Sequence, residues 1–216
     1  MELGQALFDQ LNEHQWVGNR QPVVYGKGGL SPEDIESIEQ QLGFLIPPDF
    51  KYLLANIRDE GDVLFPWANF DKGEYDELIA RVLYGIEFDV ENSGVWLDHW
   101  GMKPATLEER TAKVRQDFGL WPKLLPIYGT RFLPAEPCES ENPVFSIVQT
   151  DIVYYGSNLA DYLTREFLRD SGERAERTIG KTRFIPMWSK FAEEPPHYTV
   201  PAEVTSILLQ RFEKNS

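Results

Sequence analysis

The strongest constraint on the fold is a pair of β-rich runs in the second half of the chain. Residues 144–148 and 152–155 are rich in β-branched and aromatic side chains, and only residues 149–151 separate them. Two such runs joined by so short a connection are typical of an antiparallel β-hairpin. Asn158 then has the character of a helix cap, which predicts a helix over residues 159–168.

Helix signals dominate the first part of the chain. Ser31, Pro32 and Asp34 have the spacing of a capped helix start, and Gly43 can end that helix in the left-handed conformation. A second helix follows Pro47 and is expected to bury Phe50, Leu53, Leu54 and Ile57. Thr106 and Glu109 have the spacing of a capping box and predict a helix that runs to about residue 118. The remaining predicted helices cover residues 3–16, 74–83 (before Gly85) and 201–212.

Short apolar runs predict further strands at residues 63–65, 94–97, 124–128 and 131–133. Helices therefore lead, strands gather in the middle and helices follow, without regular alternation of strand and helix. This order favours an α+β fold with a mainly antiparallel sheet flanked by helices. The sequence shows no repeat and no long linker, so we expect a single domain over residues 1–216.

The net charge of the chain argues against several classes of partner. The chain has 21 Lys and Arg against 35 Asp and Glu, a formal charge of −14, which disfavours nucleic acids and anionic membranes. The single cysteine, Cys138, excludes an internal disulfide, residues 1–5 lack the basic start of a signal peptide with no apolar region after them, and no apolar stretch is long enough to span a membrane. These features predict a soluble cytoplasmic protein.

The acidic residues are unevenly distributed. Residues 59–98 carry eleven acidic residues against two basic ones, a net charge of −9, whereas residues 101–135 have a net charge of +3. The acidic segment is either a solvated face or a docking surface for a basic protein, with Trp67, Phe70 and Trp96 as possible aromatic anchors. The candidate partner-binding residues are Asp59, Glu60, Asp62, Trp67, Asp71, Glu74, Asp76, Glu77, Glu87, Asp89, Glu91 and Asp98, with Glu136, Glu139, Glu141 and Asp151 from later segments.

The sequence contains no recognisable catalytic or metal-binding motif. Residues 180–182 (GKT) resemble the end of a phosphate-binding loop, but the required earlier glycine is replaced by Ala175. The three histidines are not at metal-ligand spacing, and the acidic loop around Cys138 disfavours a thiolate. His99 beside Asp98 is a possible acid/base group, because a neighbouring carboxylate would raise its pKa, but a partly buried structural histidine is the stronger interpretation. We therefore expect no catalytic residue, cofactor or metal.

Four segments, which together span about residues 30–168, carry a resemblance to a known family. They are residues 30–54 with the Leu42-Gly43 and Ile46-Pro47 steps, residues 96–101 with Trp96 and Trp100, residues 125–134 (LPIYGTRFLP), and residues 143–163 with Tyr154-Tyr155-Gly156. In this order they resemble the SUKH superfamily, in its cell-wall-assembly-regulator (Smi/Knr-type) branch.

The resemblance implies an α+β fold and a function in protein binding. Bacterial members are typically immunity proteins that block a cognate secreted toxin, often a nuclease, and a basic toxin would suit the charge of −14. Fungal members are regulators that act through protein contacts, so a regulatory interaction module with endogenous partners is the alternative. An enzyme with an unrecognised acid/base site is a third possibility. We expect a monomer or a weak homodimer, with motif residues such as Gly43, Pro47 and Gly156 in structural roles.

Overall fold

The computed structural model describes residues 3–13, 23–26, 28–59, 64–168 and 179–194. Within those ranges the chain forms seven α-helices and six β-strands. They are α1 (Gln5–Glu13), β1 (Val23–Tyr25), α2 (Pro32–Leu42), α3 (Pro48–Ala55), β2 (Ile57–Asp59), α4 (Lys72–Asn92), α5 (Leu107–Phe118), β3 (Leu124–Tyr128), β4 (Arg131–Pro134), β5 (Val144–Val148), β6 (Asp151–Gly156), α6 (Leu159–Phe167) and α7 (Trp188–Glu193).

A four-stranded antiparallel sheet in the order β3-β4-β5-β6 lies at the centre of the fold. Phe132 pairs with Phe145 across β4 and β5, and Ile147 pairs with Ile152 in the hairpin of β5 and β6. β1 and β2 form a separate two-stranded antiparallel ribbon. The α+β class, the antiparallel sheet and the hairpin are therefore confirmed.

Helices cover both faces of this sheet, because alternate strand residues enter two different core clusters. Leu125 and Leu133 pack with residues of α1, α2, α3 and α6, whereas Leu124 and Phe132 pack with residues of α4, α5 and α7. Adjacent residues of a strand point to opposite faces, so this division follows directly from the pleat of β3 and β4.

Local capping signals position three of the helices as predicted. Ser31 and Asp34 form a reciprocal capping box at the start of α2, and Thr106 and Glu109 form another at the start of α5. The side chain of Asn158 accepts a hydrogen bond from the backbone N–H of Asp161 and caps α6. Each cap satisfies backbone donors that the first helical turn leaves free, and this is why such short sequence patterns fix the helix starts.

The predicted strand at residues 63–65 is wrong for its described part. Leu64 and Phe65 lie in an irregular segment that leads to a 3-10 turn, Trp67–Asn69. Phe65 does donate a backbone hydrogen bond to Ile127 O at 2.8 Å, next to strand β3. Pro66 has no backbone N–H with which to continue such a ladder.

The predicted helix over residues 74–83 is too short, since α4 continues from Lys72 to Asn92 through Gly85. A β-carbon at Gly85 would lie 3.1 Å from the α-carbon of Gln149, in the turn of the hairpin. Gly85 therefore serves the close packing of α4 against this turn, at a local cost of about 0.5–1 kcal/mol in helix propensity.

Two further predictions are also corrected. Residues 94–97 do not form the predicted strand. The backbone N–H of Val95 donates a hydrogen bond to Asp89 O, and a 3-10 turn, Asp98–Trp100, follows. Ile57, expected on the buried face of a helix, instead begins β2. The predicted helix over residues 201–212 and the end of the one over residues 3–16 lie outside the described residues.

No helix in the described part of the chain is both long enough and apolar enough to cross a membrane.

Candidate functional site

The candidate site is built on α4, the longest described helix, which holds seven of the predicted partner-binding acids including its cap. Asp71 caps the helix by accepting a hydrogen bond from the Glu74 backbone N–H at 2.9 Å. The inner face of the helix carries Tyr75, Val82, Ile86 and Val90, all of which are buried in the core.

The opposite face of α4 is a stripe of side chains open to solvent. Its members recur at spacings of three or four residues, the period of an α-helix, and so they lie in one row. We name this row the outer stripe, and it consists of Glu77, Arg81, Tyr84, Phe88 and Glu91. Tyr84 is 68% exposed and Phe88 is 39% exposed, so two large aromatic side chains stand in the middle of an otherwise charged row.

Glu87 does not belong to the exposed surface. Its side chain turns towards α5, where its carboxylate accepts hydrogen bonds from Arg115 at 2.5 and 3.3 Å, and the residue is buried. The hydrogen bond to this carboxylate raises the pKa of the Arg115 guanidinium above its ordinary value. Glu87 therefore attaches α4 to the neighbouring helix α5 rather than facing a partner.

Asp89 is likewise buried, on the side of α4 that faces the hairpin. Its carboxylate accepts hydrogen bonds from the backbone N–H and the hydroxyl of Thr150, at 3.0 and 2.5 Å. The hydroxyl of Ser93 donates a longer hydrogen bond to the same carboxylate, at 3.4 Å. Asp89 thus fixes the hairpin turn to α4, and it cannot be a docking residue without breaking that attachment.

The aromatic residues proposed as anchors are structural. Trp67 is buried, donates its indole N–H to Pro126 O at 2.9 Å, and stacks on Phe70 with ring centroids 5.6 Å apart. Trp96 donates its indole N–H to Gly101 O and packs edge-on against Trp100. Tyr84 and Phe88, the exposed aromatic residues of the outer stripe, were not among the predicted anchors, although their helical spacing from Glu77 and Glu91 was a signal that could have found them.

The remaining acids near the start of α4 have varied environments. Asp76 pairs with Lys72 one turn earlier, and Glu74 is exposed. Asp98 is exposed at the start of the 3-10 turn that follows the helix. Asp59 contributes its backbone to β2, and Glu60 and Asp62 lie outside the described residues.

The loop acids do not extend the outer stripe, because their side chains contact other elements. Glu136 accepts a hydrogen bond from the backbone N–H of Lys123 at 3.0 Å, and Glu139 pairs with Arg183 at 3.0 Å. Glu141 accepts a hydrogen bond from Asn158 at 2.6 Å, at the cap of α6. Asp151 is exposed at the first position of β6, where it pairs with Val148.

His99 and Asp98 do not form an acid/base pair. Within the described residues, neither ring nitrogen of His99 has a hydrogen-bond partner. Burial lowers the pKa of His99 below its ordinary value, and the positive charge of Lys190 lowers it further, whereas Glu194 and Asp98 act to raise it. Asp98 does act to raise the pKa of His99, as expected, but the net shift is downward because desolvation of the imidazolium is the larger effect.

Other concave surfaces are largely apolar. A cavity of about 150 Å³ is lined mainly by apolar side chains, including Phe50, Leu53, Trp67 and Ile127, and an open groove between α2 and α3 is lined in part by Leu45 and Tyr52. No three His, Cys, Asp or Glu side chains gather as a metal-binding group in the part of the chain that the structure describes.

Comparison of the chain with protein-family models, with curated proteins and with solved structures found no match. The SUKH resemblance therefore stays a prediction.

Proposed function

We propose that this protein is a non-catalytic inhibitor of the immunity-protein type, which binds a basic toxin through the acidic outer side of α4 and blocks it. A nuclease is the toxin class that fits best, because an acidic surface can occupy a groove built to hold the phosphates of a nucleic acid. The SUKH resemblance of residues 30–168 points in the same direction.

The observation that carries this proposal is the division of the α4 acids into two groups with different environments. Glu87 and Asp89 are buried and bound to other elements, whereas Glu74, Asp76, Glu77 and Glu91 remain at the surface. Only Lys72 and Arg81 oppose these surface acids within the helix, so the outer side of α4 keeps an excess of negative charge.

Such a surface favours fast association with a basic protein. The chain as a whole carries −14, and a field of one sign can raise the association rate by about 10- to 1,000-fold at low ionic strength. Fast capture suits an inhibitor of a toxin, because the toxin must be bound before it reaches its target.

The proposal is tested by co-expressing this protein with candidate toxin domains, namely basic nuclease domains and any toxin-like C-terminal domain encoded beside its gene. We expect restored growth of the host cells and a complex that co-purifies, with faster association at low salt than at high salt. If the toxin domain keeps its full toxicity and no complex forms, the proposal is wrong. Binding to housekeeping proteins alone would favour the regulatory alternative.

A further inference from the structure

We propose that Tyr84 and Phe88 are the anchor residues of the docking site, and that they enter an apolar cleft with a basic rim on the partner. This inference rests on the proposed function and specifies the part of α4 that makes the energetic contact. It concerns the outer stripe alone, since Glu87, Asp89 and Trp67 are engaged within the fold.

The exposure of the two aromatic residues is the first argument. Tyr84 and Phe88 are one helical turn apart, so their side chains form a continuous apolar patch on a helix that is otherwise charged on this side. An aromatic side chain buries about 150–250 Å² on full burial, which makes it the main source of binding energy at many interfaces. Neither residue contributes to the core clusters of the described residues.

The rigidity of the patch is the second argument. Arg115 holds one flank of α4 through Glu87, and Thr150 holds the other through Asp89. Gly85, between the two aromatic residues in sequence, lets the hairpin turn approach the helix closely. A helix fixed on both flanks presents its outer stripe without further ordering, and this lowers the entropic cost of binding.

The charge around the patch defines the occupant. Glu77 lies about two turns before Tyr84 and Glu91 lies about one turn after Phe88, so acidic side chains stand at both ends of the aromatic pair. Arg81 is the only base in the outer stripe, and it already pairs with Glu77 at 2.8 Å. A partner with Lys or Arg around an apolar cleft would match both the charge and the apolar centre.

A second copy of this chain fits the patch less well. Two outer stripes brought face to face would place Glu77 and Glu91 of one copy near the acidic residues of the other. Like charges in apposition oppose association, and each copy also carries −14 overall.

The test uses the toxin domain from the co-expression experiment, with binding rates measured for the full chain and for three alanine variants. Tyr84→Ala and Phe88→Ala should each weaken binding by at least about tenfold through faster dissociation. Alanine favours helix and both positions are at the surface, so these variants should fold. Leu45→Ala is the control: Leu45 is 60% exposed, and it joins α2 to α3 on the other face of the sheet.

The outcomes separate the two proposals. Loss of affinity in Tyr84→Ala and Phe88→Ala, with Leu45→Ala within about twofold of the natural protein, supports the anchor site. Inhibition by all three variants at unchanged affinity would overturn the anchor site and leave the inhibitor function in place. Absence of binding by the natural protein would overturn the inhibitor function and the anchor site together.

Discussion

The Asp89 carboxylate holds Thr150 by two hydrogen bonds, at 3.0 Å from the backbone nitrogen and 2.5 Å from the hydroxyl, across 61 residues of sequence. Both residues are buried. The turn of the hairpin is thereby attached to the helix that carries the proposed docking surface.

Asp89→Ala should destabilise the fold substantially. The substitution removes the buried carboxylate to which the backbone N–H and the hydroxyl of Thr150 donate, and losing these two hydrogen bonds costs about 2–4 kcal/mol in the free energy of unfolding. Urea denaturation followed by far-UV circular dichroism measures this change.

Glu91→Ala is the matched control, two residues further along the same helix. Glu91 is exposed near the C-terminal end of α4, where a negative charge is unfavourable to the helix dipole. Its removal should change the free energy of unfolding by no more than about 0.5 kcal/mol. Equal stability losses in the two variants would contradict the role assigned to Asp89.

Gly156→Ala should destabilise the junction between β6 and α6. A β-carbon at Gly156 would lie 2.7 Å from the β-carbon of Tyr162 and 2.8 Å from its backbone nitrogen. Because these are backbone-proximal atoms within a packed helix, the clash cannot be relieved by a rotamer change and should cost about 1–3 kcal/mol or more.

Gly180→Ala provides the comparison for this glycine, since a β-carbon at Gly180 has no atom within 4 Å among the described residues. Thermal unfolding should show a lower midpoint for Gly156→Ala and a nearly unchanged one for Gly180→Ala. An unchanged midpoint in Gly156→Ala would show that α6 can move away from β6 at little cost.

Sequence signals predicted the elements whose causes are local. The capping box of Ser31 and Asp34, and that of Thr106 and Glu109, each lie within four residues, and both helices begin where those residues place them. The hairpin was predicted for the same reason, because its two strands are adjacent in the sequence.

The site was predicted less well, because burial on α4 depends on distant partners. Arg115 lies 28 residues after Glu87, and Thr150 lies 61 residues after Asp89. Nothing near these acids in the sequence distinguishes them from the exposed Glu77 and Glu91. The continuation of α4 past Gly85 could not be predicted either, because this glycine accommodates the close approach of the hairpin turn at Gln149, which is distant in the sequence.

His99→Gln should flatten the dependence of stability on pH in mild acid. Burial lowers the pKa of His99 in the folded state. Below pH about 6.5 the imidazole of residue 99 therefore binds a proton more readily in the unfolded chain than in the folded protein. The natural protein should therefore lose stability as the pH falls from about 6.5 towards the lower folded-state pKa, with no contribution from His99 above that range.

Urea midpoints measured between neutral and mildly acidic pH check this prediction. His99→Gln should match the natural protein in its slope above pH about 6.5 and lose less stability below it. Glu194 and Asp98 favour the protonated imidazole and Lys190 opposes it, so Glu194→Gln should increase the acid sensitivity. Identical pH profiles for the natural protein and His99→Gln would show that desolvation of this imidazole has no effect on folding.

Glu91→Gln and Glu139→Gln should differ in their effect on association with the toxin domain, although each removes one negative charge. Glu91 is exposed and forms no ion pair with the described residues, whereas Glu139 pairs with Arg183 at 3.0 Å. If the partner approaches the outer stripe, Glu91→Gln should slow association several-fold at low salt and have little effect at high salt.

The matched change in net charge makes this comparison informative about location. A field that depends only on the total of −14 would be weakened equally by the two substitutions. If Glu91→Gln slows association more than Glu139→Gln does, the approaching basic surface must pass close to the C-terminal half of α4. The reverse order would place the approach near the loop of Glu139 and would remove the electrostatic argument for α4.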